Sequence, residues 1–186
     1  MNNALVADVS IASLIQILAN AKEFYGLPVR HNEDVLNEGL THLVPIKVPK
    51  HDLENPHVKA NLLIQAHIER CQLPITDYFT DTKSVLDQSI RVLQGMIDVA
   101  AYKGSLKTTL NLIHLMQMII QGAWLDQSIL KNVPHFTDET VAKLGKQGIY
   151  YLPQLIDRAA GNLRKFLKQT LKETFSVSLS IFYDIF

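Results

Sequence analysis

The chain has 186 residues, of which 47% are hydrophobic and 19% charged, a composition that excludes an intrinsically disordered protein and allows one buried core. Lys plus Arg equal Asp plus Glu at 18 each, so no net field attracts the whole chain to nucleic acid or an anionic membrane. The single cysteine, Cys71, excludes an internal disulfide and favours a reducing intracellular compartment, nuclear or cytosolic, where we expect it as a core thiol.

The first helix is predicted from Ser10, a suitable N-cap, to about Phe24, because apolar residues recur there at helical spacing. A second helix should start at Asn32, since acidic residues in the next two positions favour a helix N-terminus. Its buried side is expected to carry Val35, Leu36 and Leu40.

The segment Arg30 to Asp34 could also be interpreted as an acid-base cluster. A helix N-terminus selects the same Asn and acidic residues, because they satisfy free backbone amides and the helix dipole. We therefore favour a structural role, in which Arg30 bridges to a neighbouring helix.

Three longer helices follow. Asn55 and Pro56 form a strong start signal for the third helix, which should end by about Leu73. The longest helix is expected to begin between Thr80 and Thr82 and to run to Gly104, a residue suited to a left-handed C-cap.

The helix after Ser105 is apolar on most sides and is predicted to sit centrally in the bundle. If the helix is central, its two polar residues His114 and Gln117 lie in the core and need hydrogen-bond partners there. A face turned to a partner is the alternative for these two residues.

The sequence of the C-terminal third predicts shorter secondary-structure elements. Brief helices are expected at about 125–131, 137–146, 152–159 and 162–173, and from Phe175 apolar residues alternate with serines as in a half-buried strand. The fold class is thus all-α: a multi-helix bundle over residues 1–136, a short-helix appendage over 137–174, and over 175–186 a possible orphan strand, the first of a truncated β-sandwich.

No motif for catalysis or cofactor binding is present in the sequence. Gly145-Lys146 is followed by Gln147, which lacks the hydroxyl that holds magnesium in a phosphate-binding loop. His57 and His67 are ten residues apart, not one helical turn, so a metal site is not expected. We predict no cofactor, no metal and no enzymatic activity in this chain by itself.

Three separated segments, in order, carry a family resemblance: Leu27–Asp34, Asn55–His67 and Thr80–Gln94. Together they resemble the Sec sixty-three homology unit, which follows the helicase cassettes of the large Ski-two-like helicases. Within this family the segments look most like the C-terminal unit of the activating signal cointegrator complex helicase subunits, and next like the spliceosomal helicases. The resemblance implies an ATP-dependent helicase as parent polypeptide.

The resemblance further implies that the bundle packs against the motor domains and that its longest helix lines the channel holding one nucleic-acid strand. Here that helix has an apolar stripe on one side. The other side carries the candidate nucleic-acid-binding residues Lys83, Asp87, Arg91, Gln94, Gly95 and Tyr102. A solvated or domain-facing surface is the alternative interpretation of this polar side. Gly104-Ser105 departs from the family pattern, which commonly has an aromatic residue after this glycine.

Two functions follow as hypotheses. In the first, the chain is a non-catalytic accessory module that braces helicase motor domains and contacts single-stranded RNA or DNA. In the second, it is a protein interaction module of a helicase complex without nucleic-acid contact. An endoplasmic-reticulum translocation role, which the family name suggests, is disfavoured because no segment has the roughly 20 apolar residues of a membrane span.

Overall fold

The computed structural model of the protein describes residues 9–133 and 136–159. These residues form seven α-helices and no strand, which confirms the all-α class. The helices are α1 (Ile11–Ala19), α2 (Glu33–Thr41), α3 (Pro56–Glu69), α4 (Thr76–Tyr102), α5 (Leu106–Gln121), α6 (Asp138–Lys146) and α7 (Leu152–Ala159). The predicted helix at 162–173 and the predicted strand after Phe175 lie outside the described residues.

The chain divides into two compact units, Met1–Trp124 and Leu125–Phe186. The first unit contains α1 to α5 around one core. In the second, α6, α7 and a 3-10 turn at Ile129–Asn132 surround a small core of Leu130, Phe136, Leu144, Ile149 and Leu155. The functional division at residues 136 and 174 stays a prediction. None of the described helices is long and apolar enough to cross a membrane.

The central helix of the first unit is α3, and the prediction that α5 sits centrally is wrong. Nearly all of α3 from Val58 to Ile68 is buried, including Lys59, Asn61 and Gln65. Each of these polar side chains has partners inside the core. The Gln65 amide donates to the Asn61 side-chain oxygen at 2.6 Å and to the Ile46 carbonyl at 3.0 Å, and its oxygen accepts from the Ile46 amide at 2.8 Å.

The start signals of α1 and α3 are confirmed. The Ser10 hydroxyl accepts from the amide of Ser13, and the Asn55 side chain accepts from the amide of His57 at 2.9 Å. Helix α1 ends at Ala19, earlier than predicted, because a separate 3-10 turn at Lys22–Phe24 buries Phe24 against the same core.

Helix α2 begins as predicted but turns a different face inward. Asn32 has a positive φ of 65° and its side chain forms no capping hydrogen bond. The buried residues are Glu33, Asn37 and Leu40, whereas Val35 is 64% exposed, so its predicted burial is wrong. The electrostatic contacts of Glu33 set this orientation, and they are described with the site below.

Helix α4 is one continuous rod of 27 residues. It starts at Thr76, before the predicted Thr80, because Ile75 is extended and buried Tyr78 already anchors the first turn. Its end is as predicted. Gly104 has a φ of +74°, and the amides of Gly104 and Ser105 bond back to the carbonyls of Ala101 and Ala100, at 2.9 and 3.1 Å. These two bonds form a Schellman motif.

Candidate nucleic-acid interface on the long helix

The outer face of α4 carries a row of polar side chains, which we call the α4 stripe. All of its predicted members are exposed: Lys83, Asp87, Arg91, Gln94, Gly95 and Tyr102. From the first to the last, the stripe extends about 28 Å at the helical rise of about 1.5 Å per residue. Whether these residues contact a nucleic acid stays a prediction. What the structure establishes is their shared, solvent-facing side.

The charges along the α4 stripe nearly cancel. Lys83 and Arg91 supply the cations, while Asp87 and exposed Asp98 supply the anions. Arg91 contacts Gln88 at 3.4 Å, a long hydrogen bond that leaves its guanidinium at the surface. Tyr102 at the end of the helix is 94% exposed, so its ring has most of its area available for stacking.

The inner face of α4 fixes the direction of this stripe. Buried positions recur along it: Tyr78, Asp81, Thr82, Val85, Ser89, Leu93, Met96 and Ala100. Helical periodicity predicts an apolar stripe of Leu86, Ile90, Leu93, Ile97 and Ala100. The structure buries Leu93 and Ala100 completely, whereas Leu86, Ile90 and Ile97 are only partly buried. Compared with the predicted orientation, helix α4 is rotated slightly about its axis, because the polar residues Asp81 and Ser89 also face inward. The predicted rod with one buried and one open side is otherwise confirmed.

A buried ionic cluster holds the first turns of α4 against α2 and α3. Its centre is the Lys59 ammonium on α3, which is 0% exposed. The ammonium donates to Glu33 Oε2 at 2.6 Å, Asp81 Oδ2 at 2.7 Å and the Pro28 carbonyl at 2.7 Å. A lysine ammonium has three protons, so every donor is used. The face of the Tyr78 ring lies 4.7 Å from the nitrogen and adds a cation-π contact.

Arg30 covers the cluster from the solvent side, which confirms the predicted bridge to a neighbouring helix. Its guanidinium donates to Glu33 Oε1 at 2.9 Å and Asp81 Oδ2 at 2.7 Å, and it pairs with Asp77 at 3.2 Å. The hydrogen bonds to Asp81 and then Glu33 raise the pKa of Arg30 above its ordinary value. Helices α2 and α4 are therefore joined through one side chain.

The two buried carboxylates stay ionised because their partners outweigh burial. Burial alone would raise the pKa of Glu33, but hydrogen bonds from Lys59 and from the amide and guanidinium of Arg30 hold it below its usual value. Burial likewise opposes ionisation of Asp81, and hydrogen bonds from Arg30 and Lys59 lower its pKa. Both carboxylates are thus ionised and ion-paired in the folded protein.

Tyr78 and Asn37 extend the cluster into the core. The Tyr78 hydroxyl donates to Asn37 Oδ1 at 2.8 Å, and Asn37 Nδ2 donates to the Leu53 carbonyl at 2.8 Å. Burial, then the nearby charges of Glu33 and Asp81, raise the pKa of Tyr78 above its ordinary value. The cluster thus links Glu33 on α2, Lys59 on α3 and Asp81 on α4.

A second exposed face lies on α5. Large apolar side chains recur on its outer side at helical spacing, and we call them the α5 patch: Leu106, Leu110, Ile113 and Ile120. Leu106 is 72% and Ile120 64% exposed. Gln117 is also exposed and His114 half-buried, so the favoured prediction of two core polar groups is wrong for Gln117. Contiguous exposed apolar surface is typical of a docking site.

Among the residues that the structure describes, no group of three His, Cys, Asp or Glu side chains is placed to hold a metal ion. Cys71 is half-buried and packs against the core. Burial, and next the charge of Glu69, raise the pKa of its thiol, so the reactive thiolate is disfavoured.

The sequence profile of one family, the Sec63 Brl domain, matches residues 1–181 of the chain. The chain belongs to the Sec63 Brl domain family. This confirms the resemblance predicted from the three segments.

Of three relatives of this Sec63 Brl domain, two are helicases by name and one is named as a subunit of the activating signal cointegrator 1 complex. The chain is 43% identical over 182 residues to activating signal cointegrator 1 complex subunit 3 of Rattus norvegicus, which covers 91% of the chain. It is 46% identical over 172 residues to the DExH-box ATP-dependent RNA helicase DExH14 of Arabidopsis thaliana, covering 92% of the chain. It is 38% identical over 146 residues to the human U5 small nuclear ribonucleoprotein 200 kDa helicase, covering 78% of the chain.

The Sec63 Brl domain is a small part of these relatives. The chain spans 8% of the length of the rat and Arabidopsis proteins and 7% of the human one. The segments that match this chain are therefore small parts of much longer proteins, two of which are helicases by name.

Sequence reasoning missed Lys59 as the centre of the ionic cluster. The available signal was a single lysine among the apolar and amide side chains in the middle of α3, together with the acidic residues at positions 33 and 81. A buried lysine needs such partners. Their distances in sequence, 26 and 22 residues, concealed the pairing.

Proposed function

We propose that this chain is a non-catalytic accessory module of an ATP-dependent helicase, which braces the motor domains and offers the α4 stripe to single-stranded RNA or DNA. The observation that carries the proposal is the continuous α4 rod, which is buried along one side and polar along the other. The family match supports the helicase context. An intracellular location, nuclear or cytosolic, goes with this proposal.

Strand contact should be weak and dependent on salt. If Lys83 and Arg91 each neutralise one phosphate, affinity for a single strand should fall about 7-fold between about 50 and about 200 mM salt, since the slope is about −0.7 per phosphate contact. We expect Arg91→Glu to weaken binding of a 5′-fluorescein-labelled oligouridylate several-fold and to flatten this salt dependence. Fluorescence anisotropy measures both.

Matched variants separate a strand site from general charge effects. Lys47→Glu reverses an exposed charge off α4 and should change binding much less than Arg91→Glu. Asp87→Asn with Asp98→Asn should tighten binding, because these two carboxylates repel phosphates. If Arg91→Glu and added salt both leave the anisotropy unchanged, the strand role of α4 is wrong.

The bracing role is supported by the α5 patch, which presents apolar surface to solvent. Within a helicase polypeptide such a face is expected to pack on a neighbouring domain, because burial of apolar surface stabilises the contact. The same patch also fits the alternative function, a protein interaction module without nucleic-acid contact. The two functions differ in the strand-binding result described above.

Docking through the α5 patch can be measured with a relative's helicase. The rat cointegrator subunit would be prepared without the segment that this chain matches, and the chain added in trans. We expect an association, measured by isothermal titration calorimetry, that Ile113→Asp weakens about tenfold, as a central apolar contact does. Val35→Asp, at another exposed apolar position, is the control and should retain full affinity. No association with the unmodified chain would contradict the bracing role.

A further inference from the structure

The exposed side chains along the middle of α5 follow a strict repeat. They stand at alternating steps of four and three residues: Leu106, Leu110, Ile113, Gln117 and Ile120. On a helix of 3.6 residues per turn, these five lie within an arc of about 80°. Such a stripe is narrower than the arc that usually faces a globular core, and it corresponds to the seam of a coiled coil.

The bundle already uses the opposite side of α5. The buried residues recur there at helical spacing: Thr108, Leu112, Leu115, Met118 and Ile119. Helix α5 therefore has two separate apolar faces, of which the inner one completes the core of the first unit. The outer one remains for a contact outside that core.

The outer face is held rigid by contacts at both ends of α5. At its end, the His67 ring on α3 donates to the Ile119 carbonyl at 2.7 Å. Arg70 donates to the carbonyls of Gly122 at 2.7 Å and Gln121 at 3.1 Å. The tight turn after α4 fixes the other end. The seam is thus preformed, so a docking helix meets side chains that need little further ordering.

The size of the face favours an occupant that is already held nearby. Leu106 is 72% exposed and Ile113 37% exposed. Four such apolar side chains offer on the order of a few hundred Å², whereas a stable interface between free proteins buries roughly 800 Å² on each side. A second copy of the chain docked on this face alone would therefore not stay bound. A helix in the same polypeptide or complex would, because its effective concentration is high.

We propose that the outer face of α5 pairs with one α-helix of the helicase motor domains, packed side by side at a crossing angle of about 20°. The four apolar residues insert between the side chains of that helix, and a polar side chain of the partner hydrogen-bonds Gln117. This inference rests on the proposed function, because the α5 patch and the motor domains are the same surface and partner. It adds the kind of element that binds and its register.

Gln117 supplies the register. It is the polar member of an otherwise apolar seam. A slipped partner helix would place an apolar group against this amide and leave its hydrogen-bonding groups unpaired. A single polar residue in the seam of a coiled coil specifies register in this way, at some cost in stability.

Photocrosslinking tests whether the partner element is a helix. p-Benzoylphenylalanine is placed in turn at positions 106, 113 and 120, and the whole chain is irradiated with the rat cointegrator subunit that lacks the matched segment. We expect mass spectrometry to find crosslinks to one helical segment of the rat protein, with successive sites about seven residues apart. The same photoreactive residue at position 35, exposed on α2, should give no crosslink to that segment.

The variant Gln117→Leu tests the register. It should weaken the association about fivefold in isothermal titration calorimetry, because the polar residue of the partner loses its hydrogen bond. Gln121→Glu, at an exposed position of α5 outside the seam, should change the affinity less than twofold. A simple apolar patch without register would instead bind more tightly once leucine replaces the amide.

The outcomes separate this inference from the proposed function. Association with crosslinks to a loop, to a strand or to several scattered segments would overturn the helix pairing and leave the bracing role intact. Tighter binding by Gln117→Leu would overturn the assigned register. Crosslinks between two copies of this chain would assign the face to a second copy. No association of the unmodified chain would overturn both the bracing role and the helix pairing.

Discussion

The variant Lys59→Met should lose about 3–5 kcal/mol of the free energy of unfolding, the cost of breaking a buried ion pair by removing one partner. Methionine fills similar space, so the loss arises from Glu33 and Asp81, which would remain buried beside only one cation, Arg30. The Pro28 carbonyl also loses its donor. Urea unfolding followed by circular dichroism measures the change.

The control for this prediction is Lys47→Met, which removes an exposed lysine and should stay within about 0.5 kcal/mol of the unmodified chain. Adding Asp81→Asn to Lys59→Met should recover part of the loss, because one uncompensated charge is then neutral. A loss below about 1 kcal/mol in Lys59→Met would mean that the cluster contributes no more than a surface pair.

Acid should unfold the protein through the same cluster. Glu33 and Asp81 have folded-state pKa values below their ordinary values of 4.5 and 3.8. Lowered pKa values mean that the unfolded chain binds protons first, so the stability from these groups is complete above about pH 5 and declines as the pH falls toward the folded values. We expect a constant urea midpoint between pH 7 and about 5, and a steep decrease below.

The variant Asp81→Asn tests the source of this acid sensitivity. It should start less stable but lose less stability between about pH 5 and pH 3, because one of the two linked carboxylates is gone. Asp98→Asn on the exposed side of α4 should leave the pH profile unchanged. An identical profile for Asp81→Asn would place the acid sensitivity elsewhere in the molecule.

Much of the fold could be predicted from local signals. Ser10, Asn55 and Gly104 mark helix ends through hydrogen bonds and backbone angles set within a few residues. The open side of α4 also followed from helical periodicity, because Arg91 and Gln94 recur at that spacing.

The remaining features depend on contacts between residues far apart in sequence. Lys59 and Gln65 are buried because their partners come from other segments, so α3 looked less central than it is. In contrast, Leu106 and Ile113 on α5 are apolar yet exposed, which periodicity alone cannot distinguish from burial. The polarity of a residue predicts its need for partners, but not whether tertiary structure supplies them.

The tight turn at Gly104 has a mechanical consequence. Only residues 103–105 separate α4 from α5, and two backbone hydrogen bonds close the turn, so the two helices form a hairpin without slack. A displacement of one helix is therefore expected to move the other as well. Under the proposed function, a domain docked on α5 and a strand bound along α4 would therefore contact the same helical hairpin.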